Sequence, residues 1–336
     1  MPLPPGKIPV DILKQIVFKN LGATRKEVIL GPAAGIDCAV INLGNKSLIA
    51  KTDPITGALE RIGWLAVNVN ANDVSTFGVE PAFFLSCILL PEKANKKTVE
   101  IISTQMDKAA RELGMAIIGG HCETTPGLKN PIVVGCAMGV AEKNDYVTAA
   151  GAKAGDWIIL TKTAGIEGTA ILASDRENKL SRTINASVIK KAQEFFSQIS
   201  VTKEALTAYK TGGVHAMHDP TEGGVAGGIH EMADASNLGF KIYEEKVPIA
   251  SETIQICKSF EIDPFYLIAS GSMLIAANRN SALKIVRRVK RKGILATVVG
   301  EFLPSPEKRT MIFRDGTEGE LARPICDQLW MALAKS

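Results

Sequence analysis

The residues best placed to do chemistry in this chain of 336 residues form the stretch Asp219-Pro220-Thr221-Glu222-Gly223-Gly224, a carboxylate, a hydroxyl and two glycines at the expected start of a helix running to Asn237. A helix start offers free backbone N–H groups and the positive end of the dipole, so it suits an anion such as phosphate. The glycines let backbone and ligand approach closely. A carboxylate beside a phosphate makes sense when a hard cation lies between them, because Mg²⁺ joins one or two carboxylates to nucleotide oxygens. Asp219 is therefore a candidate metal ligand. Three further aspartates sit where predicted strands or helices meet loops: Asp37 before Cys38-Ala39-Val40-Ile41, Asp53 after Leu48-Ile49-Ala50-Lys51-Thr52, and Asp73 in Asn70-Ala71-Asn72-Asp73. Converging carboxylates repel one another unless a cation is bound. Together the four could hold one or two Mg²⁺ ions on a polyphosphate and offset its charge as a phosphoryl group moves.

His121, Cys122 and Glu123 form a second group, and His215, His218 and Asp219 a third. Neighbouring residues of an extended segment point to opposite faces, so His121 and Cys122 do not readily share one ion. The expected role for His121, Glu123 and His218 is instead contact with substrate or proton transfer near the phosphate.

These groups need a scaffold, and nearly half of the chain is apolar, enough for two domains with separate cores. The net charge is only +4, and the short basic segment at 287–292 alternates with apolar residues as on the wet face of a helix. Nucleic acid is not an expected partner. The six cysteines are dispersed with no CxxC pair, which fits a reducing cytosol and core thiols. No apolar run is long enough to span a membrane, and residues 1–7 lack the apolar core of a signal peptide, so the expected location is cytoplasmic.

Periodicity predicts helices at 10–20, 62–77 and 98–113, with strands at 38–43, 47–52, 83–90, 115–118 and 132–140. The small, aperiodic residues at 148–155 mark the expected boundary, giving domains 1–150 and 151–336. Beyond it a strand at 157–161 feeds a helix through Gly165 and Gly168. A strand near Phe240, a helix at 251–260, a strand at 272–277, a helix at 281–292 and a strand at 295–300 follow. The second half is a second α/β unit.

Four ordered motifs carry a family resemblance. Gly35-Ile36-Asp37-Cys38-Ala39-Val40 resembles a GxDxAV signature, Thr52-Asp53 a TD strand end, Asn72-Asp73 through Gly78 and Pro81 an NDxxxxGxxP helix, and Asp219-Pro220-Thr221-Glu222-Gly223-Gly224 a DxTxGG loop. These are the motifs of the aminoimidazole ribonucleotide (AIR) synthase superfamily, which includes PurM, HypE, selenophosphate synthetase and thiamine-monophosphate kinase. The resemblance spans nearly the whole chain. It implies a PurM-like α+β fold of two domains: an N-terminal α+β domain whose mixed sheet forms a homodimer, and a C-terminal α/β sandwich. It also implies ATP and Mg²⁺, with Asp37, Asp53, Asp73 and Asp219 at the metal positions and Lys51, Thr52, Asn72, Gly120, Thr221, Gly223 and Gly224 at the nucleotide. Enzymes of this superfamily use ATP to phosphorylate an acceptor, often an amide or carbonyl oxygen.

Within the superfamily, Gly213-Val214 through Asp219-Pro220-Thr221 and Asp263-Pro264-Phe265-Tyr266 most resemble HypE, which dehydrates a thiocarboxamide on its own C-terminal cysteine. That likeness implies a role in hydrogenase maturation with an accessory-protein partner. Three features differ from it. Arg323-Pro324-Ile325-Cys326 resembles a PRIC tail but is followed by ten further residues, so Cys326 is expected to be a core residue of a final amphipathic helix. Glu123 stands at the lysine of a GDTK-like loop, and Ala269-Ser270-Gly271-Ser272 stands at an NEGK-like loop. The alternatives are an AIR synthase-like cycloligase, from the partial likeness of residues 119–127 to a GGETAEMPG loop, and a non-catalytic nucleotide-binding accessory protein.

Overall fold

The computed structural model describes residues 6, 8–33, 35–56 and 61–334. The chain divides into two compact units. One holds Thr24–Pro32 and Asp37–Tyr146, and the other holds Ala33–Ile36, the segment ending at Ala23 and the chain from Val147 onward. The short helix α1 (Val10–Gln15), shorter than its periodicity predicts and followed by one 3-10 turn, belongs to the second unit.

The N-terminal unit is a six-stranded sheet of β1 (Val28–Leu30), β2 (Ala39–Leu43), β3 (Lys46–Ile55), β4 (Pro81–Leu90), β5 (Ala116–Thr124) and β6 (Ile132–Glu142), in the order β1-β2-β3-β6-β4-β5. Helices α2 (Ile62–Thr76) and α3 (Lys96–Leu113) complete it. All pairings are antiparallel except β4 with β5, which α3 joins as a parallel crossover. Helix α2 is buried at every position but Trp64, so it carries no polar stripe; its asparagines and Asp73 lie inside the unit. Helix α3 buries only Ile102, Met106, Ala109 and Ala110; Asn95 caps its start with a capping box and Gly114 ends it in the left-handed region.

One sequence expectation changes here. The predicted strand at 115–118 continues through Thr124, so the GDTK-like loop is the second half of β5. All nine β5 residues are exposed, and at Gly120 the strand lies close against β4: a Cβ there would lie 2.0 Å from Ser86 O. Close strand pairing needs glycine at that position.

The C-terminal unit contains a seven-stranded sheet of β7 (Trp157–Thr161), β8 (Val214–His218), β9 (Gly239–Tyr243), β10 (Met273–Ala277), β11 (Ala296–Leu303), β12 (Arg309–Ile312) and β13 (Glu318–Glu320), in the order β13-β12-β9-β11-β7-β10-β8. Around it run α4 (Ile166–Asp175), α5 (Glu177–Leu180), α6 (Ala186–Gln193), α7 (Thr202–Thr211), α8 (Gly224–Ser236), α9 (Ser251–Phe260), α10 (Arg279–Arg291) and α11 (Gln328–Ala334). Strand alternation sends Ile158 and Leu160 into a core with Val225, Ile229 and Phe240, and Ile159 into another with Met217, Ile275 and Ile285. Both faces of the sheet are therefore covered, as a run such as Trp157-Ile158-Ile159-Leu160 requires. On α10, Ile285 and Val289 point inward and Arg287, Arg288, Lys290 and Arg291 stay exposed. No described helix is long and apolar enough to cross a membrane.

Candidate functional site

In the N-terminal unit, β3 and α2 build an acidic seat. Lys51 and Asp53, two residues apart on β3, share the face that carries the buried Ser47 and Ile49. Asn70 and Asp73, three apart on α2, share one helical face. The amide of Asn70 fixes the strand end from both sides: its Oδ1 accepts from Asp53 N–H at 2.8 Å, and its Nδ2 donates to Asp53 O at 3.2 Å and Ala66 O at 2.8 Å. Thr52 points the other way and donates to Gly135 O of β6 at 2.7 Å. The centre of the seat is the Lys51 ammonium, 3.3 Å from Asp53 Oδ2 and 3.2 Å from Asp73 Oδ2. Burial alone would lower the Lys51 pKa, but the Asp73, Asp53 and Asp37 carboxylates hold it well above its usual value. The seat thus suits a cation and contains the chain's own. Asn72 is fully buried on α2.

His121 and Glu123 stand elsewhere in the unit. Gly120 is in register with Asp53 through Gly135 and Ser86, three strand spacings away, or about 14 Å. On exposed β5, His121 Nε2 lies 3.0 Å from Glu123 Oε2, and the Thr125 hydroxyl donates to Glu123 Oε1 at 3.1 Å. The bonds from His121 and Thr125 lower the Glu123 pKa.

In the C-terminal unit, β8 delivers His218 and Asp219, both buried, to the mouth of α8. His218 Nε2 pairs with Glu231 Oε2 of α8 at 2.8 Å. Thr221 and Glu222 form the turn that leads into Gly223, which starts α8 in the left-handed region at φ 82°. Gly224 has φ 63°, and a Cβ there would lie 2.6 Å from both Phe265 O and Leu267 O. Only glycine fits so close to that loop. The group at the helix mouth is an internal carboxylate: Gly223 N–H donates to Asp327 Oδ2 at 2.7 Å, and Leu329 N–H to Asp327 Oδ1 at 2.7 Å. Burial pushes the Asp327 carboxyl up to about 6, against the hydrogen bonds from Leu329, Gly223 and Ile268.

Sequence reasoning missed Asn70, Asp327 and Glu167. Glu167, on α4, is 6% exposed, and burial lifts its carboxyl to about 7, with Asp327, Asp219 and Glu222 adding repulsion. Its hydrogen-bond partner is Ser270, in the loop where the NEGK-like pattern would place a glutamate, and its Oε2 has no partner. A carboxylate therefore reaches this loop from a different element. Nothing in the local sequence around Ile166-Glu167-Gly168 signals it.

Cys326 corrects an expectation. It is exposed and precedes α11 instead of lying inside a helix. The reason is its neighbours: Asp327 is drawn into the helix mouth, Arg323 pairs with Asp234 of α8, and Ile325 faces solvent completely. The segment borders a cleft of about 740 Å³ whose walls include Lys14, Glu222, Gly223, Glu231, Arg323 and Cys326. Of the six cysteines only Cys38 and Cys257 are buried.

The family model for the N-terminal domain of AIR synthase related proteins matches residues 35–141, and that for their C-terminal domain matches residues 153–312. This chain belongs to the AIR synthase related family. Within that family it is 29% identical over 292 residues to a protein of Methanocaldococcus jannaschii named for hydrogenase expression/formation, covering 84% of each chain. It is 27% identical over 244 residues to the carbamoyl dehydratase HypE of Bradyrhizobium diazoefficiens, covering 71% of this chain and 68% of that one. The solved structure of the hydrogenase maturation protein HypE in complex with ATP superposes with a TM-score of 0.73 at 20% identity, over 98% of both chains. The AIR synthase related fold, with a mixed sheet in one unit and a covered sheet in the other, is thus the fold of this chain.

Proposed function

We propose that this protein is a cytoplasmic, ATP- and Mg²⁺-dependent enzyme that activates an acceptor oxygen by phosphorylation, most like HypE, and that it works in hydrogenase maturation with an accessory protein. The observation that carries the reading is the acidic seat, where Asp53 and Asp73 converge on one cation at the strand end that bears the family's TD motif. Asp37, Asp53 and Asp73 are the residues of the N-terminal unit that would hold the metal, and Asp219 is the candidate metal ligand of the C-terminal unit. When bound, Mg²⁺ offsets the charge of the transferring phosphoryl group. Lys51 and Thr221 serve the nucleotide, Asn70 holds Asp53 in place, and His121, Glu123 and His218 remain the candidates for moving a proton at the acceptor. The name of the Bradyrhizobium relative and the ATP bound to the solved HypE support this reading.

A homodimer is part of the proposal. Strand β5 pairs only with β4 among the described strands and exposes Ile117 and Ile118 along a free edge, which a second copy would cover.

Exposure of Cys326 favours one specific acceptor, a carbamoylated thiol on that residue, over the cycloligase alternative. The oxygen phosphorylated would then be that of the thiocarboxamide. Calorimetry with Mg²⁺ and ATP tests the core of the reading. Wild type should bind, and Asp73→Asn should weaken binding at least about tenfold, as expected for loss of one charged ligand at ~1.4 kcal/mol or more. Unchanged binding by Asp73→Asn would sink it, and ATP turnover surviving in Asp219→Ala would remove Asp219 from the metal set.

A further inference from the structure

The acidic seat of the N-terminal unit is built around a lysine, and that sets a condition on what else can enter it. Lys51 Nζ contacts the same Oδ2 atoms of Asp53 and Asp73 that a metal would take, at 3.3 and 3.2 Å. The Lys51 side chain is 16% exposed and that of Asp73 3%, so neither charge is well hydrated. Asp37 and Cys38 also face the ammonium electrostatically. Two cations cannot occupy the same carboxylate oxygens, so a metal must displace the ammonium. A displaced lysine left without an anion would be a largely buried, unpaired charge, a state proteins avoid at considerable cost. A polyphosphate supplies the missing anion.

We propose that Lys51 is a resident counter-cation that makes divalent-metal binding at Asp53 and Asp73 conditional on a phosphate-bearing ligand. In the exchange, the lysine moves from carboxylate to phosphate while the metal takes the carboxylates. No covalent bond is broken: the divalent ion takes the place of the ammonium on the carboxylates, and the polyphosphate brings the negative charge that both the metal and the displaced ammonium then face. Metal and nucleotide then bind cooperatively, and by linkage each raises the affinity of the other by the same factor. The inference rests on the metal–nucleotide reading of the seat but concerns the lysine alone.

Electron paramagnetic resonance of free Mn²⁺ with the full chain tests it, using wild type, Lys51→Met and Lys51→Arg with and without β,γ-imido-ATP. Wild type should bind Mn²⁺ weakly alone and about tenfold or more tightly with the analogue, within the usual range of coupling between sites. Lys51→Met should bind Mn²⁺ alone about tenfold more tightly than wild type and lose most of the coupling. Lys51→Arg, which keeps the charge, should stay near wild type. Equal Mn²⁺ affinity of wild type and Lys51→Met without nucleotide would overturn the proposal, as would a wild-type affinity indifferent to the analogue when the analogue binds. Failure of every protein to bind the analogue would count against the nucleotide reading, and the Mn²⁺-only comparison would still decide the role of Lys51. Should Lys51→Met fold poorly, its thermal melt decides: restoration by Mn²⁺ supports the exchange and indifference to Mn²⁺ opposes it.

Discussion

The two units each answer an electrostatic problem with a group of their own, and they do so differently. At the end of β3 the problem is a cluster of carboxylates, and the answer is the Lys51 ammonium. At the mouth of α8 it is a set of free N–H groups, and the answer is the Asp327 carboxylate. In the first seat full charges face each other, so attraction outweighs burial and Lys51 stays firmly protonated. In the second the partners are backbone dipoles, so burial wins and Asp327 rises to about 6. Charge facing charge can exchange for another ion of the same sign. A buried carboxylate held by three amides is instead a structural clamp, and the chain on either side of it is what it holds.

The largest expected effect that sharpens this contrast lies at Glu167, behind the clamp. Its carboxyl titrates near 4.5 in the unfolded chain and near 7 when folded, because burial disfavours the charge. The raised value means that the folded state binds the proton more tightly. The Glu167 contribution to stability is therefore fully present below about pH 4.5 and is lost as pH rises through 7, by up to about 3 kcal/mol. Glu167→Gln removes the ionisation and keeps a donor and an acceptor for Ser270. Urea denaturation should show it more stable than wild type above pH 7 and little different at pH 4.5. An equal gain at both pH values would mean that packing, not charge burial, sets the effect, and the contrast with Lys51 would lose its basis.

Asp327→Ala tests the clamp directly. It strips a charged acceptor from Gly223 N–H and Leu329 N–H but also relieves a buried carboxyl, so the net loss should be about 2 kcal/mol. Hydrogen exchange should accelerate at Gly223 and across α11, with β3 and α2 unchanged. Protection that stays constant over α11 would show that the helix is held by other contacts, such as Arg176 Nη2 donating to Leu333 O at 2.6 Å.

How much of this was legible in the sequence follows from the range of the interactions. Helices α2, α3, α9 and α10 and most strands of the first sheet were readable because apolar period and caps are local signals. Helices α5, α6 and α7 drew no expectation, and β12 and β13 are too short to show a period. The four aspartate motifs were found because each sits beside a strand end or helix start. Their charge partners were not all equally visible. Lys51 is two residues from Asp53 and is legible with the TD motif. Asp327 lies 104 residues from Gly223, and Glu167 meets Ser270 only through the packing of α4 against the loop after residue 266. Cys326 departs from its expected place for the same reason: the helical pattern of 328–334 runs on backwards in the sequence, over a residue whose neighbour is pulled inward by that distant amide.

The smallest effect is expected at Cys326 itself, and there a null result is informative. The thiol is exposed and sits between two anchors, Arg323 on Asp234 and Asp327 on Gly223. Cys326→Ser should leave stability within about 0.5 kcal/mol of wild type, as for surface substitutions in general. Iodoacetamide should label Cys326 well before Cys257, whose buried thiol is pushed up to about 12. A large loss of stability in Cys326→Ser would mean that the segment is core after all and that the clamp merely follows it. With fold and labelling as expected, mass spectrometry of protein purified from cells that make hydrogenase reads the chemistry: a carbamoyl or cyano adduct on Cys326 makes this thiol the acceptor's carrier. A thiol that stays unmodified there while ATP is turned over would place the acceptor on another molecule. The anchors would then serve to hold the wall of the cleft and not to present a nucleophile.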